Sequence, residues 1–167
     1  MLNIEAKELV AVYSGSFDPI TAGHLDIIRR ASVFVDLLVV AVCKNSEKAE
    51  FFSIEERLAL ARELTEDMKN VQVGYFSGLL ADYVKVLGAN LIIRGVRGVN
   101  DLEYENQIAA VNRHLTGGVD TVFIPASQAY LYISSSIVRE MVKYGGDYDA
   151  MVPPLIKEAI IKKHPKK

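Results

Sequence analysis

The chain has 167 residues, 50% of them apolar and 24% charged, which fits one folded domain over 1–167 and excludes a collagen, a disordered tail and a disulfide-stapled miniprotein. Its 19 Lys and Arg stand against 21 Asp and Glu, a formal net charge of -2, so no global field draws it onto nucleic acid or an anionic membrane, and any polyanion it binds must meet a local pocket. The single cysteine, Cys43, forms no internal disulfide and no Cys or His cluster has metal-site spacing, which points to a reducing, cytoplasmic setting; the acidic start and short apolar runs suggest neither a signal peptide nor a bilayer span.

Residues 9–13 form an apolar run closing on Ser14-Gly15-Ser16, and read as a first buried strand. The following segment, Phe17-Asp-Pro-Ile-Thr-Ala-Gly-His24, leads into a helix that His24 would open. Residues 36–43 are rich in valine and make a second strand, followed by Lys44-Asn-Ser-Glu-Lys48. Ser53-Ile-Glu-Glu56 is a capping box, and Ile54, Leu58, Ala61 and Leu64 then fall on one helical face. A third strand spans 71–76, and a helix over 79–87 stops at Gly88.

The fourth strand, 90–93, runs into Arg94-Gly-Val-Arg97. A helix then carries Tyr104, Ile108, Val111 and Leu115 on one stripe and closes at Gly117-Gly118. After a fifth strand over 119–124, Tyr130-Leu-Tyr-Ile-Ser-Ser-Ser-Ile-Val-Arg139 caps another helix. Pro153 or Pro154 suits the first turn of the last helix, which enters the basic tail Lys162-Lys-His-Pro-Lys-Lys167. This alternation predicts an α/β, doubly wound, five-stranded parallel sheet with helices on both faces. In such sheets ligands bind beyond the carboxyl ends of the strands, so the residues just after each strand are the candidates for chemistry.

Each of those segments has a plain reading and a chemical one. His24 is either a helix-capping or packed imidazole or, with Gly15, Ser16 and Gly23 around it, part of a phosphate-binding helix start. Neither G-x-x-x-x-G-K nor G-x-G-x-x-G is present. Lysines in a polar loop are usually solvated charges. Arg94 and Arg97, bracketed by glycines, would pair with a surface carboxylate or offer planar forks to phosphate oxygens. Asp101 and Glu105 suit a first helical turn by the macrodipole alone, and Ser134, Ser135 and Ser136 would cap any helix. His114 has no motif around it and reads as a surface or packing residue.

Taken together, Gly15-Ser-Phe-Asp-Pro-Ile-Thr-Ala-Gly-His24, Arg94-Gly-Val-Arg97, Asp101-Leu-Glu-Tyr-Glu105, Asn112-Arg-His-Leu115 and Ile133-Ser-Ser-Ser-Ile-Val-Arg139 resemble the phosphopantetheine adenylyltransferase family of the nucleotidyltransferase superfamily, in order from about Val10 to Leu155. The family's usual Lys-x-Pro is replaced here by Lys48-Ala-Glu50, and Tyr130 stands where many members have tryptophan. The resemblance implies a Rossmann-like fold and the penultimate step of coenzyme A biosynthesis, adenylyl transfer from ATP to 4'-phosphopantetheine without a general base. His24, Lys48 and Ser16 would be catalytic, and Leu80 and Arg94 would join Ser16 and Lys48 at the acceptor. ATP would lie against Ser16, Phe17, His24, Gly95, Val96, Arg97, Glu105 and the run Tyr130, Leu131, Tyr132, Ile133, Ser134, Ser135 and Ser136.

The resemblance also implies Mg2+ carried with ATP rather than held by a protein metal site, a homohexamer, and feedback by coenzyme A. The rivals are adenylylation of a nicotinate mononucleotide, cytidylylation of glycerol phosphate, and a non-enzymatic nucleotide sensor. RNA binding is disfavoured by the lack of basic excess and of an anticodon domain.

Overall fold

The computed structural model describes residues 8–44 and 50–165. Five strands form one sheet: β1 Val10–Gly15, β2 Leu37–Cys43, β3 Val71–Phe76, β4 Leu91–Val96 and β5 Asp120–Pro125. All neighbours are parallel, in the order β3-β2-β1-β4-β5. The connections carry helices α1 Ala22–Ser32, α2 Ile54–Leu64, α3 Leu80–Leu87 and α4 Val99–Thr116; α5 Ser135–Tyr144 and α6 Pro154–Lys163 follow β5.

The central strands are continuous apolar runs because both of their faces are covered. Alternate residues feed two cores. Ala11, Tyr13, Leu38, Val40, Val42 and Ile93 pack with Ile28, Ala31, Ala61, Val138, Ile156 and Ile160 of α1, α2, α5 and α6. On the other face Val12, Val39, Ala41 and Ile92 meet Val84 of α3 and the following Ala89, with α4 alongside over β4 and β5. No helix among the described residues is long and apolar enough to cross a membrane.

The order of strands makes a switch point between β1 and β4, because the chain leaves β1 toward β2 and returns from β3 to the opposite side. The ladders show where this opens. β1 stays paired with β2 as far as Gly15↔Val42, whereas its pairing with β4 ends at Tyr13↔Ile93. Beyond that point the two strands part, and their ends, Ser14-Gly15 and Arg94-Gly95, form the walls of a crevice.

One helix differs from its sequence pattern in what it buries. α4 forms and ends at Gly117 in the left-handed region, φ 76°, but Tyr104 and Val111 are 63% and 55% exposed, and Ile108 and Leu115 are also open. The buried residues of α4 are Glu105 and Asn112. The helix lies over the β5 edge of the sheet, so its polar side reaches inward at the crevice while its apolar stripe faces out.

The helix starts follow local chemistry. The Ser53 hydroxyl accepts from the Glu56 amide at 3.2 Å and the Glu56 carboxylate accepts from the Ser53 amide at 2.7 Å, the capping box expected from Ser53-Ile-Glu-Glu56. Replacing Ser53 by alanine should remove one of these bonds and lower stability by about 1 kcal/mol. The midpoint of urea unfolding checks this.

Candidate active site

A cleft of about 270 Å3 occupies the crevice at the ends of β1 and β4. Two helix N-termini reach it: Thr21, Gly23 and His24 from the start of α1, and Ser134, Ser135 and Ser136 from the start of α5. Unpaired first-turn amides and the positive end of the macrodipole make such a pair of termini suited to anions. Gly95 lets α1 pack close against β4 at the cleft: a Cβ there would stand 3.1 Å from the Ile27 side chain.

His24 has two functions on two nitrogens. Its Nδ1 accepts from the Thr21 amide at 3.0 Å, and the Thr21 hydroxyl accepts from the His24 amide at 3.3 Å, so an imidazole takes the Glu or Gln role of a capping box. A nitrogen that accepts carries no proton, which leaves the proton on Nε2. The ring also packs edge-on against Phe17, centroids 5.1 Å apart, and Phe17 against Tyr13 at 5.4 Å. Burial, then the charges of Arg97 and Arg94, lowers the His24 pKa from 6.5 to about 4. At neutral pH the residue is an uncharged donor through Nε2. Burial likewise pushes the Tyr13 phenol up, against the pull of the two arginines, so it stays protonated.

Three arginines line the same cleft. The Arg94 fork is bidentate to Glu105, 2.7 Å from Nε to Oε2 and 2.7 Å from Nη2 to Oε1. Its Nη1 donates to the Ser14 carbonyl at 2.6 Å and to the Ser14 hydroxyl at 3.2 Å. Of its five N–H groups, one on Nη2 has no partner among the described residues. Arg97 is held by Asp101 at 3.0 and 3.2 Å and also donates to the Ile133 carbonyl at 3.4 Å. Burial acts to raise the Asp101 pKa, but the hydrogen bonds and charge of Arg97 outweigh it and hold the carboxyl below its usual range. Arg139 donates to the Asp18 carbonyl at 2.5 Å and to the Ser136 hydroxyl at 3.1 Å.

Ser16, Phe17, His24, Arg94, Gly95, Arg97, Glu105, Tyr130, Ile133, Ser134, Ser135 and Ser136 all line this one cleft. Leu131 and Tyr132 line a shallower groove beside it, which shares Arg97 and Asp101. Val96 is the buried last residue of β4, and Leu80 opens α3 and packs against the core beneath that helix; neither is among the cleft residues. Lys48 lies outside the described residues. Tyr13, Asp101 and Arg139 also belong to the cleft, although the sequence reading gives none of them a site role. Arg139 ends the serine-rich motif, five residues beyond Ser134, and its helical offset from the capping serines was the available signal.

Among the described residues no group of three or more His, Cys, Asp or Glu is arranged to hold a metal ion. Both cleft carboxylates, Asp101 and Glu105, are instead bound to arginines.

Residues 12–141 match the family model described as cytidylyltransferase-like. The fold is also similar to a crystal structure described as that of a nicotinate-nucleotide adenylyltransferase from Vibrio parahaemolyticus, with a TM-score of 0.67 and 16% identity over 96% of this chain and 98% of that one.

The depressed His24 pKa makes stability depend on pH. Between about 6.5 and 4 the unfolded chain binds a proton at this residue that the folded chain refuses, so stability should fall as pH falls through that window. Glutamine retains the capping-box acceptor but does not titrate. Urea midpoints should therefore drop more for the wild type than for His24→Gln between about pH 7 and about pH 5.

Proposed function

The chain belongs to the cytidylyltransferase-like family, and we propose that within the nucleotidyl-transfer chemistry of that family it moves the adenylyl group of ATP to 4'-phosphopantetheine, releasing pyrophosphate and dephospho-coenzyme A. The observation that carries the choice of acceptor class is the state of the carboxylates. Asp101 and Glu105 are both engaged by arginines, and the Nδ1 of His24 is engaged by Thr21, so none of these cleft groups is free to take a proton. The acceptor must therefore arrive ionised. A phosphate monoester does so, since its second pKa lies near ~6.

In this reading the attacking oxygen of the acceptor phosphate displaces pyrophosphate in line at the α-phosphorus of ATP. The Nε2–H of His24 donates to an α-phosphate oxygen as negative charge gathers there, and a neutral imidazole suffices for that. The Ser16 hydroxyl and amide, the first-turn amides of α5 and the guanidinium of Arg97 hold the nucleotide phosphates. The remaining Nη2–H of Arg94 faces the acceptor phosphate, with Glu105 fixing the plane of the fork. Lys48 is assigned to the nucleophile by the family resemblance. Magnesium would enter on the ATP phosphates, where it offsets their charge.

The acceptor's identity rests on Arg94-Gly-Val-Arg97 and Asp101-Leu-Glu-Tyr-Glu105, the segments that resemble the phosphopantetheine enzymes. A homohexamer and feedback by coenzyme A accompany that resemblance, and the outward apolar stripe of α4 offers surface for subunit contact.

Steady-state pyrophosphate release with ATP and 4'-phosphopantetheine tests the reading, with nicotinate mononucleotide and with CTP plus glycerol phosphate as the competing substrates. Turnover with phosphopantetheine alone is expected, and turnover only with another acceptor overturns the assignment. In the same assay His24→Ala should lower kcat about a hundredfold to a thousandfold while ATP affinity changes much less. Arg94→Ala should raise KM for phosphopantetheine more than KM for ATP, and equal increases would mean that Arg94 does not serve the acceptor.

A further inference from the structure

Beneath the cleft lies a charged group that the transfer chemistry has not used. Arg57 of α2 has a side chain only 2% exposed, and its donors reach separate segments of the chain. Nη1 donates to the Ser16 carbonyl at 3.0 Å and to the Cys43 carbonyl at 3.3 Å. Nε reaches the Ser53 carbonyl at 3.4 Å, and Nη2 reaches Glu50 at 3.3 Å. Taking a guanidinium out of water is costly, and among the described residues this one has a single, partly exposed carboxylate partner. Such an arrangement needs an explanation beyond packing.

The explanation lies one residue past Ser16. Phe17 has φ 45° and is the only non-glycine residue with positive φ among the described residues. For a bulky side chain this conformation is unfavourable and persists only where its surroundings over-determine it. Both neighbours of Phe17 are tied down. Arg57 holds the carbonyl of Ser16 before it. After it, the Asp18 carboxylate accepts from the amides of Phe51 at 2.9 Å and Phe52 at 2.8 Å, and the Asp18 carbonyl accepts from Arg139. The ring so placed is 2% exposed and stands edge-on between Tyr13 and His24.

We propose that Arg57 is a positioning residue for His24, acting through the Ser16 carbonyl and the Phe17 ring, with Asp18 as the second anchor of the same strained residue. Arg57 touches no substrate. It fixes the backbone that sets the Phe17 ring, and that ring fixes the face of the imidazole whose Nε2–H must meet the phosphate. Lysine at this position keeps the charge but loses the planar group whose Nη1, Nε and Nη2 together tie the Ser16 and Cys43 carbonyls to the Ser53 carbonyl and Glu50. The proposal rests on the transfer reading given above for its kinetic consequences, and on the geometry alone for its effect on the imidazole.

A double-mutant cycle separates this role from general loosening of the fold. Pyrophosphate release is measured for wild type, Arg57→Lys, His24→Ala and the double variant. Arg57→Lys should lower kcat about tenfold to a hundredfold, as expected for a misplaced catalytic group, with KM for ATP within about threefold. In the His24→Ala background the same change should cost less than about threefold, because the group it positions is gone. Equal losses in the two backgrounds, or an unchanged kcat in Arg57→Lys, overturn the proposal.

If Arg57→Lys does not fold by circular dichroism, Asp18→Asn replaces it in the same cycle, with the same expected and overturning outcomes. A readout independent of turnover is the proton spectrum of the His24 ring, whose shifts report the edge-on Phe17 ring 5.1 Å away. The wild type should show ring protons displaced by Phe17, and the Arg57 or Asp18 variant should move them toward the shifts of a free imidazole; an unmoved spectrum overturns the proposal. If the wild type releases no pyrophosphate with any acceptor, the functional reading fails while the ring spectrum still decides the positioning claim.

Discussion

Three arginines and a histidine share one small cleft, and the repulsion among them is the constraint that the surrounding structure has to meet. Like charges a few ångströms apart in a partly desolvated site would splay apart, or one of them would lose its proton. Here burial, and then the charges of Arg97 and Arg94, keep the histidine neutral, and each arginine is held by acceptors: Arg94 by Glu105 and Ser14, Arg97 by Asp101 and Ile133, Arg139 by Asp18 and Ser136. The burial of Glu105 on α4, which looks anomalous for a helix face, follows from that need. α4 supplies both carboxylates, Asp101 and Glu105, to the cleft.

The same constraint shapes the chemistry. With Asp101 and Glu105 committed to arginines, the cleft is, among the described residues, rich in donors and poor in bases. A site of this kind suits substrates that bring their own negative charge, and it acts by placing donors where more charge will form. The uncharged state of His24 fits this arrangement, since a neutral imidazole whose tautomer is set by Thr21 donates a hydrogen bond without adding to the positive crowd.

Several residues satisfy a structural and a chemical reading at once. His24 completes a capping box with Nδ1 and presents Nε2 to the cleft. Ser134 caps α5 by accepting from Ile137 at 3.2 Å, and it lines the cleft together with Ser135 and Ser136. Arg94 does pair with a carboxylate, as the plain reading of an arginine has it, but the partner is the buried Glu105 eleven residues on rather than a surface acid. A structural role at these positions leaves the proposed chemical one open, because a helix N-terminus needs an acceptor and a ligand site needs its donors fixed in place.

Local pattern in the sequence was enough for the strands to within a few residues, the Ser53 and Ser134 caps, and the glycine stops at Gly88 and Gly117, because each depends on residues within a few positions of one another; β4 runs on to Val96, so Arg94 and Gly95 are strand residues rather than part of the loop beyond it. It was also enough, through the resemblance its motifs carry, to indicate nucleotidyl transfer. What only the tertiary structure decided depends on contacts between distant segments: that β1 and β4 part after Tyr13 and Ile93, that Arg94 meets Glu105 and Ser14, that Arg139 enters the cleft, and that the α4 stripe faces outward. The buried Arg57 beneath Phe17 belongs to the same set. Helical and strand periods report which side of an element is apolar, but not which neighbour that side meets, and a guanidinium finds its partners only after the sheet order has brought 41 residues of separation, from Ser16 to Arg57, to within a hydrogen bond.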